Sequence, residues 1–340
     1  MDTFYVPIEG LTVTDDWNVG PVVVIPTDRA MVELDDLDLP GDPSGFRSAV
    51  EAQRAGAIAK VHATDHDRAI DLVAGAVDVL RVFQHVRHFT TQLTQFGIEG
   101  DIGRGVVPYA VSQGERSGVG YKRRGDALGW TFSEPSEWTQ ADAFHWVANA
   151  IGSDVVSEAE RRALVAVQLL SDAIVEQRGT FKMVALVTAL EALVLERNGS
   201  SQTFQLARKI AYFGCGGHSG DLCGRTRVTC PYLELDPANR QELKTLKRLR
   251  TKGALPPWRC SEWHRVVDWY DLRSDVVHGA GPEVSYRDAS QALHWVLRYL
   301  TEPILNWLRD HPTDPELELA AAIRALPKAP DWEARLGERP

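Results

Sequence analysis

The chain has 340 residues, of which 44% are hydrophobic and 25% are charged, and its net charge is -10. This composition is typical of a globular protein with a real core, and it excludes a disordered chain, a collagen and a coiled-coil rod. The acidic balance argues against a surface that coats nucleic acid or anionic membrane as a whole, but it leaves room for a local basic patch. Because domains usually span about 100 to 200 residues, the length predicts two of them.

The sequence carries no sign of export or of membrane insertion. The N-terminus, MDTFYVPIEG, lacks a basic region followed by an apolar one, and no stretch approaches the about 18 apolar residues that a bilayer span needs. We therefore expect a cytoplasmic protein with no membrane partner. Four cysteines are too few for a disulfide scaffold, so in a reducing compartment they are buried thiols or metal ligands.

The first 150 residues have the pattern of a mixed α/β domain. Leu11–Thr14 and Val22–Ile25 are β-branched runs separated by turn formers, which predicts short strands. Residues 31–45 are acidic and rich in turn formers. Apolar residues recur with helical spacing from Arg68 to about Phe96, which predicts a long helix with Asp67 as its cap. Between residues 97 and 137, apolar and polar residues alternate, which predicts two or three more strands.

The second half of the sequence is helical, which makes the chain α+β overall. Ser157 and Glu160 form a capping-box pattern at the start of the first helix. The predicted helices are Ser157–Gln177, Phe181–Glu196, Thr203–Phe213, Ser261–His278 and Tyr286–Asp310, the last with a kink before Pro303. We therefore predict an all-α bundle over residues 151–312 with an insertion at 214–260, where Pro256-Pro257 excludes a helix, and a C-terminal tail at 313–340.

The segment Trp269–Gly279, WYDLRSDVVHG, holds the residues with the clearest chemical potential. On a helix, Arg273 falls within the same apolar stripe as Val266, Tyr270 and Val277. A guanidinium in that position needs a carboxylate partner, a cleft or an interface, since burying an unpaired charge is costly. Glu191 is the natural partner because it too is a charge within a very apolar helix.

His278 follows five residues after Arg273, near the end of the same predicted helix. A histidine and an arginine that converge on one phosphate are what RNA cleavage without a metal requires. The histidine exchanges a proton with the ribose 2′-hydroxyl or the leaving oxygen, and the arginine stabilises the charged phosphorane. The alternative is that these residues are ordinary polar groups of a helix end, because this spacing is common by chance.

The segment Arg273-Ser-Asp-Val-Val-His278-Gly, preceded by Tyr270-Asp-Leu, closely resembles the R-x4-H motif of HEPN domains, specifically of the Apea-like branch. The likeness includes Ala189-Leu-Glu-Ala-Leu193 and Leu206-Ala-Arg-Lys-Ile210, and it covers roughly residues 157–310. It implies a helical bundle that dimerises with two R-x4-H motifs face to face. Many such proteins are metal-independent endoribonucleases that act as toxins in anti-phage defence.

Transferred to this chain, the resemblance makes Arg273 the residue that binds and stabilises the phosphate and His278 the general acid or base. Asp275 and Glu191 become orienting partners. The N-terminal domain becomes a sensor or regulatory domain for a phage trigger or a partner protein. Many active members have Asn, Asp or His directly after the arginine, whereas this chain has Ser274. The alternative within the same family is a catalytically inactive module for RNA binding or dimerisation.

The four cysteines cluster in or beside the predicted insertion, at Cys215, Cys223, Cys230 and Cys260. Four thiolates make a complete tetrahedral set for structural zinc, and a small loop without a core benefits from such a crosslink. A closed set of this kind leaves no open coordination position for catalysis. The alternative to zinc is four unligated thiols, some of them buried. A third interpretation of the whole chain, an unrelated helical zinc-binding regulator, keeps the cysteines as ligands and discards the R-x4-H motif.

Basic residues dominate Arg240–Arg265, the end of the insertion and the start of the next helix, and Trp258 and Trp263 lie among them. Cations interleaved with aromatic rings suit a path for single-stranded RNA, with phosphates on the cations and bases on the rings. A solvated basic helix with tryptophans in the core explains the pattern equally well. The candidate RNA-binding residues are Lys244, Lys247, Arg248, Arg250 and Lys252.

Overall fold

The computed structural model describes residues 1–36, 50, 55–87, 110–112, 116–117, 130–132, 141–195, 201–214, 231–251, 261–279, 281 and 283–326. The chain divides into two compact units, one formed by Met1–Val156 with Leu170–Glu176 and the other by Ser157–Leu169 with Gln177–Pro340. The first contains a mainly antiparallel sheet and the second is helical, so the predicted α+β class is confirmed. Within the described residues, no helix is long and apolar enough to cross a bilayer.

An eight-stranded sheet forms the centre of the first unit. Its strands are β1 (Asp2–Glu9), β2 (Leu11–Val13), β3 (Trp17–Val19), β4 (Val22–Pro26), β5 (Ala55–Ala63), β6 (Ala110–Ser112), β7 (Arg116–Ser117) and β8 (Trp130–Phe132). The order is β3-β4-β5-β1-β6-β7, while β2 pairs in parallel with β5 and β8. Gly56 permits the β2–β5 contact, because a Cβ there would lie 2.2 Å from Thr12 Oγ1.

Within the described residues, three helices with given bounds accompany this sheet: α1 (Thr27–Asp36), α2 (His66–Arg87) and α3 (Asp142–Ala150). Helix α1 packs through Ala30 and Leu34 onto a cluster that includes Tyr5, Ile25 and Ile58. From residue 31 onwards this helix runs through the stretch that the sequence only marks as acidic and rich in turn formers. Helix α2 confirms the predicted long helix, and residues 88–96 of the prediction lie outside the described part. The predicted cap at Asp67 is wrong, because the Arg68 amide donates to Asp65 Oδ1 at 2.9 Å.

The five helices predicted for the second part are present in the predicted order. The prediction that Pro256-Pro257 excludes a helix from the insertion is wrong, because the helices Pro231–Glu234 and Arg240–Thr251 form before those prolines. The described helices are α4 (Glu158–Val175), α5 (Gly179–Val194), α6 (Gln202–Gly214), α7 (Pro231–Glu234), α8 (Arg240–Thr251), α9 (Ser261–Val277), α10 (Tyr286–Val296), α11 (Glu302–Asp310) and α12 (Pro315–Arg324). The capping box is confirmed, since the Glu160 amide donates to Ser157 Oγ and the Ser157 amide donates to the Glu160 carboxylate. The predicted irregularity before Pro303 is a π-helical segment, Leu297–Thr301.

Aromatic side chains between α6, α7 and α9 form part of the core of the helical unit. Trp263 is fully buried, stacks on Phe204 with ring centroids 5.6 Å apart and contacts Tyr232 at 4.9 Å. The Tyr232 hydroxyl lies 3.1 Å from Nε2 of the buried His264. These contacts fix the start of α9, and His278 follows directly after the end of that helix.

Helix α12, which falls in the predicted C-terminal tail, is docked onto the bundle. Asp314 caps it by accepting the Leu317 amide at 3.1 Å. Glu316, on its first turn, is buried and pairs with the buried Lys209 of α6. The docked helix therefore forms part of the surroundings of the site described next.

Candidate functional site

Arg273 and Glu191 form the ion pair that the sequence predicts. The Nη2 atom of Arg273, on α9, lies 3.2 Å from Oε2 of Glu191, on α5. The two side chains keep 28% and 17% of their surface exposed, so the pair is neither sealed in the core nor free in solvent. Its members come from two helices in contact, and it fixes the side of α9 that faces α5.

Tyr270 links this ion pair to α6. Its hydroxyl donates to Gln202 Oε1 at 3.1 Å and also interacts with Glu191. Burial raises the pKa of Glu191, although the Arg273 charge and the Tyr270 hydroxyl lower it in part. Burial also raises the pKa of Tyr270, and the neighbouring carboxylate adds to that rise. The desolvation of Glu191 therefore outweighs the attraction of its arginine.

Arg273 and Glu191 line a cavity of about 340 Å³. It lies between α4, α5, the start of α6 and α9, and we call it the arginine cavity. Its other lining residues are Glu158, Arg161, Arg162, Val165, Leu169, Thr188, Ala192, Leu195 and Gln202. The cavity is thus lined by three arginines, by two glutamates and by several small or apolar side chains. Such an opening can accept an anionic ligand of small-molecule size.

The last turn of α9 carries the other two predicted catalytic residues. His278 and Asp275 are both exposed, and the His278 amide donates to the Ser274 carbonyl at 3.0 Å. Gly279 ends the turn with a φ of 75°, as expected for a C-cap glycine. Val277, predicted to share an apolar stripe with Arg273, is instead 56% exposed. The carboxylate paired with Arg273 is Glu191, not Asp275.

Arg161 and Arg162 were not among the predicted site residues. They lie on the first turns of α4, where Glu158 accepts from both of them, and in the sequence they look like ordinary helix ion pairs at spacings of three and four. The available signal was the face formed by Glu158, Arg162, Val165 and Leu169, which repeats every three or four residues along α4.

The predicted RNA-binding residues lie mainly on α8. Lys244, Lys247, Arg248 and Arg250 are exposed there, and Arg250 forms an ion pair with Asp271 of α9. Lys252 and Trp258 lie outside the described residues. Trp263, expected to alternate with the cations as a base-stacking ring, is instead a core residue. The described part of this segment is therefore a basic helix beside a buried tryptophan.

All four cysteines proposed as zinc ligands, Cys215, Cys223, Cys230 and Cys260, lie outside the described residues. Across the described ranges, no group of three or more His, Cys, Asp or Glu side chains is arranged to hold a metal ion. His264, four residues after Cys260 in the chain, is hydrogen-bonded through Nε2 to the Tyr232 hydroxyl.

No protein-family model matches the chain, and comparisons with curated proteins and with solved structures find no match either. The interpretation of the site therefore depends on its residues and on their geometry.

Proposed function

We propose that this chain is a metal-independent endoribonuclease of the HEPN type, with Arg273 and His278 as its catalytic residues. The observation that carries the proposal is the position of Arg273, whose guanidinium lines an open cavity instead of being enclosed in the core. An arginine held by a carboxylate at an opening is preoriented, and a phosphate can still reach it. The alternative, an inactive RNA-binding or dimerisation module, would retain this arginine without using the histidine.

In the proposed reaction the ribose 2′-hydroxyl attacks the adjacent phosphorus. The new O–P bond closes a 2′,3′-cyclic phosphate as the bond to the 5′-oxygen of the next nucleotide breaks. His278 takes the proton from the attacking hydroxyl or gives one to the leaving oxygen, and Arg273 stabilises the charge on the phosphorane. Glu191 orients the guanidinium through the 3.2 Å contact.

A homodimer completes the proposed site, because one copy supplies a single arginine and a single histidine of the motif. The exposed last turn of α9, with Val277 and His278, is a surface that a second copy would cover. In this proposal the protein is a toxin-like effector of anti-phage defence in the cytoplasm. Its first unit responds to a phage trigger or a regulatory partner, and the cations of α8 guide the RNA.

Structural zinc at the four cysteines remains part of the proposal. The described neighbours of three of them lie together: a Cβ at Gly214 would be 3.2 Å from Glu262 Cγ, and Tyr232 contacts Trp263 and His264. Gly214, Pro231 and Ser261 directly adjoin Cys215, Cys230 and Cys260 in the chain. Zinc would crosslink the ends of three helices there, and metal analysis of wild type and Cys230→Ser tests this directly.

The decisive experiment compares RNA cleavage by full-length wild type, Arg273→Ala and His278→Ala in EDTA. Arg287→Ala and His145→Ala, at exposed positions outside the site, serve as matched controls. We expect the wild type and both controls to produce 2′,3′-cyclic phosphate ends and both site variants to lose at least about a hundredfold in rate. Equal cleavage by the site variants and the controls would refute the assignment.

A growth assay addresses the toxin role separately. Expression of wild type should arrest growth, whereas expression of His278→Ala should not. Equal growth of both strains, under every inducing condition including phage infection, would contradict a toxin-like effector. A folded wild type that binds RNA and never cleaves it would favour the inactive module.

A further inference from the structure

The arginine cavity contains more cationic side chains than the proposed reaction uses. Arg161 and Arg162 of α4 line it together with Arg273 of α9. The opposing carboxylates are Glu158, which accepts from both α4 arginines, and Glu191, which pairs with Arg273. The lining therefore carries one more positive than negative charge, on a chain whose net charge is -10.

The carboxylates satisfy these guanidinium groups only in part. Arg162 Nε donates to Glu158 at 3.0 Å, and its Nη2 lies 3.7 Å from Glu316 Oε2, which is too long for a hydrogen bond. Arg162 Nη1 and Arg273 Nε are buried, and neither atom has an acceptor among the described residues. Buried donors without a protein acceptor are rare in folded proteins, and a bound anion or an ordered water commonly satisfies them.

Part of the cavity lining is apolar. Val165, Leu169, Ala192 and Leu195 line it, and Val165 is 43% exposed although it is a large aliphatic residue within a helix. Phosphate alone would gain nothing from such a wall, whereas a planar base would bury apolar surface against it. At about 340 Å³, the cavity is at the lower end of the size range of small-molecule sites.

From these observations we infer that the arginine cavity is a nucleotide-binding subsite. Arg162 binds a phosphate beside Arg273, and Val165 and Leu169 contact the attached base. Glu158 and Glu191 are counter-ions that the phosphate partly displaces. The identity of the ligand as RNA rests on the proposed function, whereas the subsite itself rests on the cavity. Arg162 is then a substrate-binding residue with no share in proton transfer.

The test measures binding of a fluorescent, single-stranded oligonucleotide of 2′-O-methyluridines, which cannot be cleaved by 2′-hydroxyl attack. Full-length wild type, Arg162→Gln, Glu158→Gln and the control Arg287→Gln are titrated at several salt concentrations. We expect Arg162→Gln to bind about tenfold more weakly and to lower the salt slope by about one. Glu158→Gln should bind about threefold more tightly, because a competing carboxylate is gone. Arg287→Gln should match the wild type.

Uridine monophosphate and inorganic phosphate, added as competitors, separate the two halves of the subsite. The apolar wall predicts that the nucleotide displaces the probe at a much lower concentration than phosphate does. Equal competition would overturn the base contact, and equal affinities of Arg162→Gln and Arg287→Gln would overturn the phosphate contact. The side chain of Glu158 is 37% exposed, so Glu158→Gln provides a second test if Arg162→Gln fails to fold. Tighter probe binding by Glu158→Gln would support the phosphate contact, and unchanged binding would overturn it.

The two proposals fail in different ways. Cleavage that depends on Arg273 and His278, combined with unchanged binding by Arg162→Gln, would refute the subsite and leave the endoribonuclease standing. Binding that depends on Arg162, without cleavage of natural RNA by wild type, would refute the reaction and leave the subsite.

Discussion

The pair formed by Lys209 and Glu316 offers the sharpest test of how α12 is held on the bundle. The two side chains are only 5% and 10% exposed. Removal of one member of a buried ion pair usually costs about 3–5 kcal/mol, because the remaining charge is left buried without compensation. We expect Glu316→Ala to lower the free energy of unfolding by about 3 kcal/mol, near the lower end of that range. The loss is limited because Lys209 still donates to the Val194 carbonyl at 2.9 Å.

Lys209→Met should have a similar cost. It leaves the Glu316 carboxylate buried, and Arg162, at 3.7 Å, is then its one cationic partner within the described part of the chain. The double variant Lys209→Met with Glu316→Leu should recover most of that loss, to within about 1 kcal/mol of the wild type, because neither charge then has to be desolvated. The resulting coupling of the two sites is the signature of a direct pair.

Hydrogen exchange measured by mass spectrometry on peptides covering Pro315–Arg324 reports directly on the release of α12. A loss of about 3 kcal/mol corresponds to roughly a hundredfold faster exchange in those peptides, if α12 opens with the unit that holds it. Peptides from β1 to β5 provide an internal reference. Additive effects of the two substitutions, or single variants that exchange like the wild type, would refute the conclusion that this buried pair holds α12.

Three other predictions follow from the described contacts. Trp263→Ala should destabilise the helical unit by about 4 kcal/mol, because a fully buried ring that stacks on Phe204 is lost. Urea unfolding followed by circular dichroism measures this loss. An unchanged unfolding midpoint together with weaker RNA binding would instead support a base-stacking role for Trp263. Gly179→Ala should destabilise by more than about 1 kcal/mol, because a Cβ would lie 2.3 Å from the Val284 carbonyl oxygen, and a melting temperature equal to that of the wild type would contradict this clash. Burial raises the pKa of Glu191, so the folded state binds the proton of this carboxyl more readily than the unfolded state does. The stabilisation of the fold by protonated Glu191 is therefore present at low pH, and it is lost as pH rises from about 4.5 through the raised pKa. Unfolding at a series of pH values should therefore show wild type losing stability relative to Glu191→Gln over that window, and the opposite slope would show that the ion pair dominates.

Local patterns in the sequence were sufficient for most helices of the second half. The capping box of Ser157 and Glu160 and the glycine at 279 involve groups within a few residues of each other, so their chemistry can be read without the fold. The pairing of Glu191 with Arg273 was also predictable, because each is a charge on an apolar helix and needs compensation.

The sheet was less predictable for a physical reason. Strand β5, AGAIAKVHA, is paired on both sides, and its small residues accommodate close neighbours where β-branched residues would be expected. Its alanines therefore resemble helix formers in the sequence. The cap of α2 was also missed, since Asp65 and not Asp67 accepts the Arg68 amide.

The sequence by itself determined the helical pattern, the Arg273–Glu191 partnership and the position of His278 at a helix end. Only the tertiary structure decided that Arg162 shares a cavity with Arg273 and that Trp263 lies in the core. Helix periodicity specifies which side chains share a face, because that depends on bonds between near neighbours. Which helix covers that face depends on packing between segments far apart in the chain, and this decides whether a charge meets a partner, a cavity or solvent.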